Sequence, residues 1–457
     1  MTPYKVTALV LIVLISISAF SQKYISKTSA VADIDYYNRV LEEVHVNPYL
    51  NIDKAEYLSK VEGLKSGLKD SVSIDNLLLL FYKMTAVIED SHTSPAVIQP
   101  MLSEELKKEQ FFPYSLVIDQ HKLYVPKTTA AGAGMPLGAQ IISINGMSVS
   151  KILPEIERYY GGRTSFSIDI AYKLLSYFLF LRDIKPPFIL EYTEASGKIK
   201  SARIATGLSF RDALKATIPN SGANYTFEVL GNKLGYFNFR SMSGDLELFH
   251  RFVDSCITAM RAANIRAMAI DLRENGGGNS QFADVFLSYL TTKKYSLMGG
   301  RKWKVSERYK AYLRSNGDTT SSYLSRENGS VLELGDCNPK ENPFKGADPF
   351  AGAIYLLTGP FTFSSANMFS DGVSHYKLAT LVGEPTGENT NDFGEVYTFT
   401  LPNSKLEMHT TTAFDWGADC DKVQRKPVEP DTLIEKNIHA KVYEEDNVLE
   451  YILGQTK

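Results

Sequence analysis

The chain has 457 residues, 44% hydrophobic and 22% charged, a balance that excludes a disordered or low-complexity protein. One core does not fill such a length, so two or three domains are expected. A formal net charge of -3 lacks the basic excess of a nucleic-acid binder, and no nucleic-acid partner is expected.

At the N-terminus Lys5 precedes the apolar run Ala8 to Ile15, and small and polar residues follow through Ala19, Ser21 and Gln22. This is the layout of a secretory signal peptide over residues 1–21, with the cut expected after Ser21. The run is shorter than the ~20 residues of a membrane span, which argues against an uncleaved anchor. No Cys lies near the cut, and no later segment is long and apolar enough to cross a bilayer. The expectation is a secreted or periplasmic protein with no integral membrane segment after cleavage.

Residues 31–105 read as a helical segment. Tyr36, Tyr37, Val40, Leu41 and Val44 recur at helical spacing, as do Leu77, Leu78, Phe81, Met84, Val87 and Ile88, with Asp75 positioned to cap the second helix. Residues 106–205 read as a β-rich module. Lys122 to Val125 is strand-like, Gly138 to Ile144 alternates into an Asn145-Gly146 turn, a helix follows over 152–160, and Phe188 to Tyr192 is another strand. From residue 222 strands and helices alternate. Leu234 to Phe239, Met268 to Leu272, Ile354 to Leu357 and Ala379 to Gly383 read as strands, and 246–262, 282–290 and a stretch from about Ser364 as helices. Continuous apolar strands separated by helices imply a buried parallel sheet and an α/β core. The polar stretch 292–350, with Asn316-Gly317 and Asn328-Gly329 turns, reads as a long irregular insertion. The three cysteines, Cys256, Cys337 and Cys420, allow one internal bridge at most, with Cys256 placed in a helical core pattern. The seven histidines include no metal-ligand spacing, so neither metal nor cofactor is expected.

Three local patterns carry possible chemistry. Thr362-Phe363-Ser364-Ser365-Ala366-Asn367 lies between a buried strand and a helix, where open α/β sheets place ligands and where helix N–H groups stabilise an anion. A plain helix cap would use the same residue types. Asp271-Leu272-Arg273-Glu274-Asn275-Gly276-Gly277-Gly278 puts three glycines after a buried strand, either as an oxyanion hole or as a flexible turn, while the phosphate-loop pattern is absent. Ser91-His92 supplies an imidazole, the natural base for a Ser hydroxyl near neutral pH, although a lone His is commonly structural.

In order and spacing over residues 222–440 these stretches resemble the C-terminal-processing (tail-specific) serine protease family. Leu381-Val382-Gly383-Glu384-Pro385-Thr386-Gly387, Leu401-Pro402-Asn403-Ser404 and Val428-Glu429-Pro430-Asp431 fit its branch containing the tricorn core protease and the interphotoreceptor retinoid-binding repeats. Gly138 to Gly146 looks like the family's PDZ module, and Asp90-Ser91-His92-Thr93 like its N-terminal motif. The resemblance implies an α/β fold with a crotonase/ClpP-like protease core at 222–440, an N-terminal helical domain at 31–105 and a PDZ-like module at 106–205. It also implies a serine endopeptidase acting on a peptide or protein substrate. Ser364 would be the nucleophile, the Ser91-His92 pair would supply the base, and Ser365 and Gly277 would give oxyanion N–H groups. No Lys follows Gly383-Glu384-Pro385-Thr386, which sets aside a Ser-Lys dyad there; the next residues are Gly387-Glu388-Asn389-Thr390. The Glu expected before the Pro-Asp pair is Gln424, leaving Asp421, Glu429 or no acid as the orienting group. Exchanging that carboxylate for an amide can cost ~10⁴-fold in rate. A non-catalytic peptide or apolar-ligand binder on the same fold is the alternative, and a scaffold docking partner tails a third reading.

Overall fold

The computed structural model describes residues 23–102, 106–217, 223–344 and 348–456; the expected signal peptide lies outside the described residues. The apolar runs of the second half form one sheet. Leu234–Phe239, Ala267–Asp271, Ala353–Thr358 and Thr380–Gly383 lie side by side in parallel, with Thr432–Leu433 beyond the last and Tyr225–Leu230 antiparallel to the first. Parallel strands need cover on both faces. On one face Phe249, Phe286 and Phe369, from helices Leu246–Ala262, Gln281–Leu290 and Ser365–His375, pack with Ile270 and Leu356. On the other, Val448 and Ile452 of helix Asn447–Gln455 cover Ala269 and Leu357. Arg273 ties this last helix down, pairing with both Asp271 and Asp446.

The N-terminal part contains helices Lys27–Val44, Lys54–Ser66 and Ile74–Ala86. The third is capped by Ser73, whose hydroxyl accepts from Asn76 N–H, and not by Asp75 as expected. Residues 117–204 hold an antiparallel sheet of Val117–Asp119, Lys122–Tyr124, Gln140–Ile144, Phe188–Thr193 and Ile199–Ile204, with Met147–Ser148 paired to Gln140–Ile144. Asn145 and Gly146 both have positive φ, as the expected tight turn requires. The strand-rich reading of this region misses helices Thr164–Lys173 and Leu175–Leu181. Every residue of the latter is buried, so it has no polar face and no amphipathic period to read.

The stretch 292–350 is not the irregular insertion expected. Gly300–Lys304 and Val331–Leu334 are strands, with helix Glu307–Ser315 between them. They extend a long hairpin, Asp392–Thr400 with Glu407–Trp416, into a four-stranded antiparallel sheet. The segment reads as polar because its charges are used internally: Arg301 binds Asp415 through two nitrogens, Lys302 lies 4.9 Å over the Phe414 ring, and Lys304 donates to the Glu42 carbonyl. A Cys337–Cys420 disulfide closes this sheet's end, and Cys256 is free and buried.

The hairpin reaches back to the first helix. Asp33, fully buried, accepts hydrogen bonds at its tip from Asn403 N–H and Asn403 Nδ2, each at 2.9 Å, and from Ser404 N–H at 2.7 Å. Asp33→Ala strands these donors in a dry site and is expected to lower unfolding stability by about 2–4 kcal/mol. Urea unfolding measures this, and an unchanged midpoint would mean that the tip is held by other contacts.

Candidate active site

Ser364 sits at the carboxyl end of strand Ala353–Thr358, just before helix Ser365–His375. Its φ of 53° and ψ of -125° are costly for a residue with a Cβ. As the helix N-cap its side chain makes no capping hydrogen bond, so the plain-cap reading of this hydroxyl does not hold. Neighbours fix the strained turn. Thr362 Oγ1, fully buried, donates to Leu272 O at 2.9 Å and accepts from Gly359 N–H at 3.0 Å, and Phe363 N–H donates to Asn275 O at 3.0 Å.

The glycine run abuts this turn. Gly277 has φ +93°, and a Cβ there would lie 2.8 Å from Ser364 Cβ and 2.9 Å from Ser365 N. Only glycine fits. Asn275, buried, pins the loop from within: its Nδ2 donates to Phe239 O and its Oδ1 accepts from Gly277 N–H, both at 2.9 Å. The N–H expected from Gly277 is therefore engaged inside the loop. The next residue, Gly278, lines the cavity, and its carbonyl accepts from Ser365 Oγ at 2.6 Å. Ser365 opens the helix, where a backbone N–H has no intrahelical acceptor.

His92 comes from the far end of the sequence. Its segment runs along the hairpin strand Glu407–Trp416, with Ala96 N–H donating to Glu407 O at 3.0 Å and His409 N–H to Ser94 O at 2.8 Å. Asp90, buried behind it, accepts from His92 N–H at 2.9 Å and from Thr411 Oγ1 at 2.8 Å, and lies 3.1 Å from His45 Nε2. Burial alone would raise the Asp90 carboxyl, yet the His45 hydrogen bond and charge bring it down to about 2. The His92 ring packs 4.5 Å from Phe363, which stacks on Phe166 at 4.4 Å. Ser91 is not on the cavity wall; its side chain abuts Gly162, where a Cβ would come within 2.7 Å of it.

The residue that links these parts is Glu388. Its Oε2 accepts from Ser364 N–H at 2.6 Å, and its Oε1 lies 3.4 Å from His92 Nδ1, an ion-pair distance without hydrogen-bond geometry. Gly387 permits this approach, since a Cβ there would meet Pro360 O at 2.0 Å. Burial, then repulsion from Asp392, pushes the Glu388 carboxyl well above its ordinary range, and burial pulls the His92 imidazole down. Gln424, where a Glu was expected, is exposed, as are Asp421 and Glu429, and none of these faces the cavity. In the sequence Glu388 occupies the stretch where the tail-specific pattern has a Lys, and it lies in the loop between Thr380–Gly383 and Asp392–Thr400 with only the preceding Gly387 to mark a close approach.

Ser364, Ser365, His92, Gly278 and Glu388 together line a cavity of about 460 Å³, with Arg301, Asn367, Asp392, Glu395 and Asp415 on the same wall. Among the described residues no group of three His, Cys, Asp or Glu side chains is arranged to hold a metal ion, and no helix is long and apolar enough to cross a membrane.

The chain is similar in structure to mature CPAF complexed with lactacystin, at 15% identity and a TM-score of 0.65, covering 94% of this chain and 97% of that one. It is likewise similar to a crystal structure of mature CPAF, at 15% identity and a TM-score of 0.63, covering 93% and 96%. At such identity the likeness establishes a shared fold. Residues 233–434 match the family model described as Peptidase family S41. That segment includes the glycine run, Ser364 and Glu388. It is therefore to peptidase family S41, the C-terminal-processing proteases, that this part of the chain is matched, in agreement with the motifs in its sequence.

Proposed function

We propose that this protein is a secreted or periplasmic serine endopeptidase with Ser364 as nucleophile, His92 as base and Glu388 as the orienting carboxylate. One observation carries the reading: a single buried carboxylate touches both the backbone of the strained, uncapped Ser364 and the imidazole of His92. With Nδ1 turned to Glu388, the opposite nitrogen of His92 is left to take the Ser364 proton. The hydroxyl oxygen attacks a peptide carbonyl, and the anion formed is held by the N–H groups of Ser365 and Gly278, Gly277 N–H being engaged by Asn275. The imidazolium returns its proton to the leaving amine. Water, deprotonated by the same nitrogen, then cleaves the acyl-enzyme and regenerates Ser364.

Two features support the location. A disulfide joins Cys337 and Cys420, as suits an oxidising compartment, and the N-terminal residues read as a leader. In the same reading the antiparallel sheet at 117–204 is a PDZ-like module that receives an extended tail of the substrate as an added strand.

A serine-reactive fluorophosphonate is expected to label the wild-type protein and not Ser364→Ala, with His92→Ala slower by at least ~10²-fold. Equal labelling of wild type and Ser364→Ala would end the serine-peptidase reading. Gly277→Ala drives a methyl against Ser364 and Ser365 N, and peptide hydrolysis is expected to fall by ~10² or more. A normal rate would show that the loop can move aside.

The Glu388–His92 pair works as ionised carboxylate and neutral imidazole, and one added proton disables it wherever it resides. Activity is thus present at high pH and lost as pH falls through the pair's apparent pKa, which the raised Glu388 carboxyl moves upward. Glu388→Gln is expected to lower kcat/KM by ~10²–10⁴-fold. It should also move the acid limb to lower pH, because the remaining imidazole is depressed by burial. A pH profile of kcat/KM for both proteins checks this; an unmoved limb would uncouple Glu388 from the base.

A further inference from the structure

The cavity carries more negative charge than the reaction uses. Besides Glu388 its wall holds Asp392, Glu395 and Asp415, with Arg301 as the facing guanidinium. Arg301 is committed to Asp415 through two nitrogens and lies 3.5 Å from Glu395, whose oxygens otherwise accept only from the neutral donors Tyr309 OH, Trp303 Nε1 and Thr412 Oγ1, so one cation serves two acids. Asp392 is paired with Arg425, 2.7 Å away. Repulsion from Asp392, Asp415 and Asp90 adds to burial in raising Glu388, so these carboxylates act on one another across the site.

A second observation points to a guest. Asn367 is only 3% exposed and lies on the cavity wall, one helical turn beyond Ser364. Its Nδ2 donates to Asn389 O at 2.9 Å, which fixes the amide's orientation because a carbonyl can only accept. Its Oδ1 is buried with no hydrogen-bond partner. A buried acceptor left unmet costs about 1–3 kcal/mol, which a donor on a bound molecule would offset. Four carboxylates against the guanidinium groups of Arg301 and Arg425 leave the wall net negative, and Asn367 adds a lone acceptor, a combination that suits a cation able to donate hydrogen bonds.

We propose that this cavity receives a lysine or arginine side chain of the substrate, on the residue that contributes the scissile carbonyl. The inference rests on the peptidase reading for its orientation: Asn367 follows the nucleophile on the same helix face, which places the donor-seeking amide beside the acyl residue. The cationic head would lie among Glu395, Asp415 and Asp392 and donate to Asn367 Oδ1, and its methylene stem would pass Met368, also on the wall.

The test compares acetyl-tripeptide coumarylamides that carry arginine, norleucine or glutamate at the acyl position and are otherwise identical. For the wild-type protein kcat/KM is expected to favour arginine over norleucine by at least about tenfold, with glutamate lowest. Both Glu395→Gln and Asn367→Leu should lower the arginine-to-norleucine ratio by about threefold or more. Calorimetric titration of Ser364→Ala with the matching peptide amides should give the same order of affinity without turnover. Ser364-dependent hydrolysis with a ratio near one would overturn the cation site and leave the peptidase reading standing. Arginine-selective binding by Ser364→Ala with no hydrolysis by the wild type would do the reverse. Neither turnover nor selective binding would overturn both.

Discussion

The contact on which the site depends is the one between Glu388 and Ser364 N–H. A backbone donor 2.6 Å from a buried carboxyl oxygen is a short hydrogen bond, and it strengthens when that carboxyl is ionised. It holds a residue whose φ of 53° is unfavourable for any side chain with a Cβ. The same carboxylate faces His92 Nδ1 from its other oxygen. The Ser364 backbone and the His92 imidazole therefore share one group, which in the proposed reading couples nucleophile to base.

That arrangement requires residues almost three hundred positions apart to be held within ångströms, and the long hairpin does this. Its inner strand pairs with the segment following His92, its tip is caught by Asp33 of the first helix, and its base carries Asp415 and Asp392 to the cavity. Asp90 completes the anchor by gathering His45, Thr93, Thr411 and the His92 backbone around one carboxylate. Buried polar clusters of this kind stabilise only when fully satisfied, and Asp90 uses both oxygens. The N-terminal helices are thus part of the cavity's architecture: their apolar faces share a core with Tyr397, Phe399 and Met408 of the hairpin.

How much of this could be read beforehand follows from what each residue does locally. The strands of the parallel sheet were legible because burial on both faces leaves uninterrupted apolar runs such as Met268-Ala269-Ile270. The glycine run and Ser364 stand out in the sequence as three glycines after one strand and a hydroxyl after another, a pattern that flexible turns and helix caps share, and the close approach of the two segments at Gly277 is a feature of the structure. Helix Leu175–Leu181 was not legible, having no polar face, and the strands Gly300–Lys304 and Val331–Leu334 were not, because their charges are neutralised by partners distant in sequence. The carboxylate was sought at Gln424 from spacing alone. That residue lies in a surface turn capped by Asp421, whose Oδ1 accepts from Gln424 N–H at 3.2 Å. Spacing is conserved by a fold only where the intervening chain is fixed, and the turn between Trp416 and Val428 lies outside the strands that fix it.

A carboxylate at 388 also changes what the site can tolerate. Were a lysine in its place, the nearby acids Asp392, Asp415 and Asp90 would stabilise its charged form and weaken it as a base. With a glutamate there the same acids act in the opposite sense, opposing its ionisation and so raising its proton affinity. In the proposed reading, a carboxylate of higher proton affinity facing His92 Nδ1 better stabilises an imidazolium at that place. The acidic wall and the Ser-His-Glu arrangement are therefore mutually consistent, whereas that wall would work against a Ser-Lys dyad.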